Sequence, residues 1–484
     1  MKRFLSLVLL LVSCASWSQA ADSPRQFRAG AMAIDITPLQ LPVIVNGGMS
    51  ERTSSTIVDR LHARCLVLDD GVAQAAIVVV DSCMIPRDLL DEAKAAASKA
   101  TGIPVSQMLI SATHAHSAPS VFGCLGSDVD EPYRRFLPTQ IAKGIQMAHA
   151  RLQPARIGWG KDSDPKNVFV RRFLMKPGTA RTNRFSGTHN DRAQMNPGFQ
   201  NPNALKPTGK PDTDVWVLSV QTRSGQPLAL LGNYSTHYAG APSLSADYFG
   251  AFCDILAERL APGDKEPAFV GLMSNGTSGD TNCNNFAEAS RREYDRFTVA
   301  RDVSAAALRA YERIEYFDWV PVVMQESLLT LDIRSPSKEE VAEAKEYLLP
   351  YKGRKPIELD EIYARETVLL SEGPQTRELK LQALRLGSLG ITAIPNEVYS
   401  STGLAIKRDS PLPATFNIEL ANGCDGYLAP PEQHKLGGYT CWRARSSCLE
   451  VGAEPKVRET LLKLLNAATR ARADEASVPS PAAP

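Results

Sequence analysis

The 484-residue chain is longer than one hydrophobic core usually serves, so one large or two closely fused domains are expected. It is 43% hydrophobic and 22% charged, the balance of an ordinary globular protein. Its 54 basic and 53 acidic side chains leave a formal net charge of only +1, so no nucleic-acid partner is expected.

Residues 1–20, MKRFLSLVLLLVSCASWSQA, have the order of a secretory signal. Lys2 and Arg3 precede an apolar stretch from Phe4 to Val12, and Ser18-Gln19-Ala20 supplies a small-x-small cleavage site. The stretch is too short to span a bilayer as a stable helix. Leu11-Val12-Ser13-Cys14 resembles a lipobox that would leave a lipidated Cys14, but so early a site leaves a short apolar region, and cleavage near Ala20 or Ala21 is preferred. The expected location is periplasmic or secreted. Eight of the nine cysteines follow the signal, an even number that permits disulfides in an exported chain. Cys441 and Cys448 are spaced to close a small loop, and no CxxC pair occurs.

Further along, ARCLVLDDGVAQAAIVVVD reads as two strands joined at Asp70-Gly71. RDLLDEAKAAASKATG follows as a helix ending at Gly102, and residues 131–152 form another. VWVLSVQTRSGQPLALLGNY repeats the hairpin pattern around Ser224-Gly225. Ser337 and Glu340 have capping-box spacing before a further helix. Strands alternating with helices predict an α/β or mixed α+β domain over residues 21–472. Residues 173–212 are rich in Pro, Gly, Asn and Arg without periodicity, which suits a wall or lid of a site. The tail 473–484, small and Pro-rich, is expected to be disordered.

Five apolar runs each end in a polar cluster: MLIS in ATHAHS, LALLG in NYSTHY, FVGLM in SNGTSGDTN, ITAI in PNEVYS and FNIEL in ANGCDGY. Ligands of helix-covered sheets bind at strand carboxyl ends, so the site is expected there. In extended backbone His114 and His116 share a face and can approach one ion. His237 offers a third nitrogen and Glu397 the best-placed carboxylate, a donor set suited to zinc. Tyr427 and Tyr439 are undistinguished by spacing. No HExxH occurs, and the residues after the HxH lack the acid and histidine of a metallo-β-lactamase site. The Gly- and Asn-rich loop Asn275–Asn284 is a candidate source of oxyanion donors.

These blocks, in this order, resemble the neutral/alkaline non-lysosomal ceramidases, specifically the N-terminal catalytic domain of their bacterial branch. The similarity runs from AMAIDITP through LISATHAHSAP, against the family's SATHTHSGP, to PNEVYSSTGLAIKRDSP and NGCDGYLAPPEQHKLGGY. The resemblance implies a zinc-dependent amidohydrolase that cleaves N-acylsphingosine with a zinc-activated water. It implies His114, His237, Glu397 and Tyr427 as metal ligands and His116 as the proton-transfer group. Arg172 or its neighbour Arg171, with Arg172 preferred, is expected to meet a polar group of the substrate. Peripheral contact with a membrane fits a lipid amide; no protein partner is expected.

Two departures stand out. The family's GDVSPN becomes Gly279-Asp280-Thr281-Asn282-Cys283-Asn284, so Asn282 occupies the place of a required serine, with Ser278 and Thr281 the nearest substitutes. The chain also ends soon after GGY, and no C-terminal immunoglobulin-like domain is expected. A non-sphingolipid amide or ester is therefore the alternative substrate, and a non-catalytic secreted binding protein the alternative of another class.

Overall fold

Strands that are apolar at nearly every position need cover on both faces. The computed structural model, which describes residues 25–188, 190–263 and 268–472, meets that need with four layers. The expected signal 1–20, with Cys14, and the tail 473–484 lie outside the described residues.

The larger sheet is built from β1 (Arg28–Asp35), β2 (His62–Asp69), β3 (Gln74–Val80), β4 (Met108–Ala112), β5 (Gln153–Ser163), β6 (Asp214–Thr222), β7 (Pro227–Tyr234) and β8 (Val270–Asn275). Their order is β8-β7-β6-β5-β1-β2-β3-β4, with the short strand Tyr316–Phe317 against β5. The second sheet is β9 (Val322–Asp332), β10 (Thr376–Leu386), β11 (Leu389–Ala393) and β12 (Ala414–Ile418), in that order.

Period-two alternation assigns the faces. Val67, Val78 and Ile110 pack against helices α1 (Arg87–Thr101) and α2 (Glu131–Ala150). Leu66, Ile77 and Val79 point the other way, into Leu384, Ile391 and Phe416 of the second sheet. Helices α3 (Asp247–Leu260) and α4 (Arg296–Tyr311) cover the β6–β8 end of the larger sheet. Beyond α5 (Lys338–Leu348), α6 (Leu359–Glu372) and α7 (Ser400–Asp409), the last helix, α8 (Ala453–Arg470), closes the outer face of the second sheet through Val457, Leu461 and Leu465. Each fully buried side chain of this kind contributes about 1.5–3 kcal/mol.

Most neighbouring strands are antiparallel, but β3–β4, β7–β8 and β11–β12 run parallel. The carboxyl ends of β4, β7, β8 and β12 are stitched together across the two sheets. Asn233 Nδ2 donates to Asn417 O at 2.9 Å, Glu419 N to Asn275 O at 3.2 Å, and Ala112 N to Leu420 O at 3.1 Å. The mixed α/β architecture thus has one edge at which the predicted strand ends meet.

The hairpins turn at residues 70–73 and 223–226. α1 ends on Gly102, whose φ of 80° suits glycine. α2 stops at Ala150 rather than residue 152. The capping box is formed, Ser337 and Glu340 exchanging hydrogen bonds. Among its described residues, the aperiodic segment 173–212 holds only short strands, in a three-stranded sheet. All eight described cysteines are buried and free, so Cys441 and Cys448 close no loop. No helix among the described residues is long and apolar enough to cross a membrane.

Candidate metal centre and adjoining pocket

β4 ends at Ala112, before the histidines. His114 has a φ of 72°, a left-handed conformation that costs a non-glycine residue about 1–2 kcal/mol. Its backbone N–H is held by Ser82 O at 2.9 Å. The two rings therefore converge through a turn, not through the pleat of an extended strand as the i, i+2 spacing suggested. The His116 ring stacks on Tyr238, centroids 3.9 Å apart, and lies close against Gly47.

His114 Nδ1 lies 2.8 Å from Cys83 O, and His237 Nδ1 lies 3.0 Å from Ser278 O. A carbonyl only accepts, so both Nδ1 atoms carry the hydrogen and both Nε2 atoms present lone pairs. Those Nε2 atoms lie 2.9 Å apart, and His116 Nε2 is 3.1 Å from that of His114. Glu397 Oε2 lies 3.3 Å from His114 Nε2 and 3.7 Å from His237 Nε2, and no donor reaches it. Glu397 and Tyr427 face each other across a short parallel pair, 397–398 with 427–428. Burial, then the Glu397 charge, pushes the Tyr427 phenol well above its ordinary range.

Lone pairs and a carboxylate converging on one point repel unless a cation sits among them. Burial opposes a charge on every ring here, and with the neighbouring cations it holds His116 and His237 well below the ordinary imidazole range. At His114 the fields of Cys83 and Glu397 outweigh burial and push the ring up. The cluster thus accommodates positive charge at its centre. Two imidazole nitrogens, a carboxylate oxygen left without a donor and an adjacent phenol fit a divalent cation such as zinc.

The arginine beside this cluster is Arg171, not Arg172. Arg171 Nη2 lies 3.1 Å from His237 Nε2 and donates to Gly279 O at 3.2 Å and to Tyr427 OH at 3.4 Å, while its buried Nε has no partner. Arg172 is spent on the fold: it donates to Gln433 Oε1 and O, each at 3.1 Å, to Gly437 O at 2.6 Å and to Thr440 Oγ1 at 3.4 Å. The two short strands around them, Phe169–Val170 and Arg172–Met175, break at Arg171, and the break turns its side chain to the pocket.

The Asn275–Asn284 loop differs from expectation. The amides of Gly276, Ser278, Gly279, Thr281 and Asn284 are all bonded within the fold, so these are not free oxyanion donors. Its carbonyls serve instead, Ser278 O orienting His237 and Gly279 O orienting Arg171. Neither substitute hydroxyl is free: Thr281 Oγ1 donates to Ser235 O at 2.7 Å, and Ser278 Oγ donates to Glu419. Burial pushes the Glu419 carboxyl up to about 8, and Glu419 also accepts from Val398 N at 2.7 Å. Sequence reading missed this support; its only signal is an acid at the end of the apolar run FNIEL. Asn282 does not line the pocket, and acts on it through Asn196, to whose Oδ1 its amide donates at 3.2 Å.

A cavity of about 280 Å³ opens onto the cluster. His116, Arg171, His237 and Tyr427 form its floor, and residues of the 173–212 segment form one wall, as expected of that segment.

No family model matches the sequence, and no curated protein matches it. The neutral ceramidase from Pseudomonas aeruginosa superposes with a TM-score of 0.67 at 17% identity, over 92% of this chain and 75% of that one. A ceramidase complexed with C2 gives 0.68 at 16% identity, again over 92% and 75%. The chain has the fold of these enzymes.

Proposed function

We propose that this protein is an exported, zinc-dependent amidohydrolase of the neutral ceramidase type, acting on the amide of N-acylsphingosine or a related amide. The observation that carries the reading is the donor-free Glu397 carboxylate oxygen aimed at the Nε2 atoms of His114 and His237, at the floor of an open cavity on this fold. His114, His237, Glu397 and Tyr427 would hold the zinc, which when bound polarises an amide carbonyl and acidifies water.

The chain's own residues supply the rest. His116, stacked on Tyr238 at the cavity floor, takes a proton from water at Nε2 and returns it to the leaving amine. Arg171 brings a buried guanidinium with a free N–H to the same floor, where it donates to the substrate oxygen as charge develops. A second reading, the same centre acting on a smaller polar amide or ester, is favoured by the cavity, which lies at the low edge of the ~300–1,000 Å³ typical of small-molecule sites.

Metal content and hydrolysis measured on one preparation, with N-acylsphingosines, simpler amides and esters as substrates, test both. One zinc per chain is expected, with activity lost on chelation and restored by zinc. A metal-free protein with undiminished hydrolysis would sink the proposal. Gly47→Ala separates metal binding from proton transfer: at φ 99° the added Cβ would lie 2.4 Å from the His116 ring. Metal content should persist while turnover falls about 100-fold, within the range general acid–base groups contribute. Unchanged turnover would remove His116 from this role.

A further inference from the structure

The cavity wall contributed by Arg181 and by residues 193–196 is chemically one-sided. Gln194 Oε1 accepts the backbone N–H of Arg181 at 2.9 Å, so its NH2 group is the end left over. Asn282 Oδ1 accepts Asn284 N at 2.9 Å, which fixes its NH2 as the group donating to Asn196 Oδ1 at 3.2 Å. Asn196, held at φ 49°, therefore also has its oxygen occupied and its NH2 left over. Amide orientation follows from the bonding network, and here the network admits one assignment for each residue.

Arg181, Gln194 and Asn196 all line the cavity, and no aspartate or glutamate is among the described residues that do. Within the same segment the Asp191 carboxylate does not line the cavity and is bonded within the fold, accepting from Gly438 N at 2.8 Å, Trp442 Nε1 at 2.9 Å and Thr188 Oγ1 at 2.8 Å. With each amide oxygen already accepting a hydrogen bond, the groups left over on this wall are mainly N–H donors, and it is poor in acceptors for a neutral polyol or an amine. It matches a group that only accepts and carries negative charge.

We propose that this wall binds a carboxylate on the substrate, and that the preferred substrate is an N-acyl amino acid or a similar amide with a carboxylate close to the scissile bond. A carboxylate fits better than a phosphate, because one guanidinium with two neutral donors balances a single charge. The proposal deepens the amidohydrolase reading and rests on it for the bond that is broken. Water then divides the amide into a fatty acid and an amino acid.

N-lauroylglycine and N-lauroylethanolamine test it, since they differ only in carboxylate against hydroxymethyl. The metal-loaded protein is expected to favour the glycine amide by about tenfold or more in kcat/KM, the range of a hydrogen-bonded charge. Arg181→Ala, at an exposed position, should bring that ratio close to one, mainly through KM. Asn282→Asp should lower it as well, because an acid there takes the Asn196 NH2 and turns its oxygen into the cavity. Equal turnover of the two amides, or a ratio unmoved by Arg181→Ala, overturns the proposal. If neither amide is cleaved, calorimetry on the purified protein separates the two readings. N-lauroylglycine binding that Arg181→Ala weakens, with no binding of the ethanolamide, keeps the carboxylate site and removes the hydrolase. Equal or absent binding of both removes the carboxylate site.

Discussion

Replacing His237 with alanine is expected to empty the metal centre and to lower turnover by about 1,000-fold or more. Its Nε2 is one of the two nitrogens set 2.9 Å apart toward Glu397. Losing it leaves one imidazole, one carboxylate and one phenol, too few for a closed grip on zinc. The several kcal/mol of transition-state stabilisation that a metal supplies then go with it, at about 1.4 kcal/mol per factor of ten. The support beneath His237 should remain, because Ser278 is pinned by its own N–H and hydroxyl to Glu419, which also holds Val398 next to Glu397. Metal analysis and amide hydrolysis on the same sample check the result. Full zinc occupancy in the variant would strike His237 from the ligand set. His116→Ala should behave differently, keeping the metal and losing turnover.

Local chemistry in the sequence foretold what local chemistry determines. The Asp70-Gly71 turn, the Gly102 terminus and the Ser337–Glu340 capping box each depend on residues within a few positions, and each forms. His114, His237 and Glu397 could be singled out because each follows an apolar run, and the parallel strand pairs bring those run ends to one edge. Tyr427 closes such a cluster too, ANGCDGY after FNIEL, but nothing in its spacing set it apart from Tyr439. It stands beside Glu397 through a pairing thirty positions apart, and only family resemblance pointed to it. Which of Arg171 and Arg172 faces the cavity depends on where two short strands break, a matter of tertiary context. Asn196 and Gln194 lie in an aperiodic segment where no pattern marks a side chain's direction, and their roles follow from hydrogen bonds to Asn282 and Arg181.

Stability should rise with pH through a single lysine that does not line the candidate site. Lys94 is on the core-facing side of α1, fully buried, and its Nζ meets an amide oxygen, that of Asn422, at 2.6 Å. Asn422 in turn donates to Gln382 at 2.8 Å, and Gln382 to Glu326 at 2.8 Å, so the hydrogen-bonded path from the ammonium to a carboxylate runs through two amides. Burial first, and the Lys380 charge second, push the ammonium down to about 7 from its ordinary 10.5. Between those values the unfolded chain holds a proton that the folded chain does not, so stability climbs as pH rises through this window. Below about pH 7 the folded chain carries the whole cost of the buried charge, of the order of 3–5 kcal/mol. Lys94→Met removes that cost and one hydrogen bond worth about 1 kcal/mol. The variant is therefore expected to be about 2–4 kcal/mol more stable than the parent at pH 6, with the advantage fading toward pH 10. Denaturant unfolding of both proteins at pH 6, 8 and 10 measures the difference, from which the other titrating groups cancel. A constant offset between the two proteins would mean that Lys94 keeps its charge throughout, held by the Asn422–Gln382–Glu326 chain.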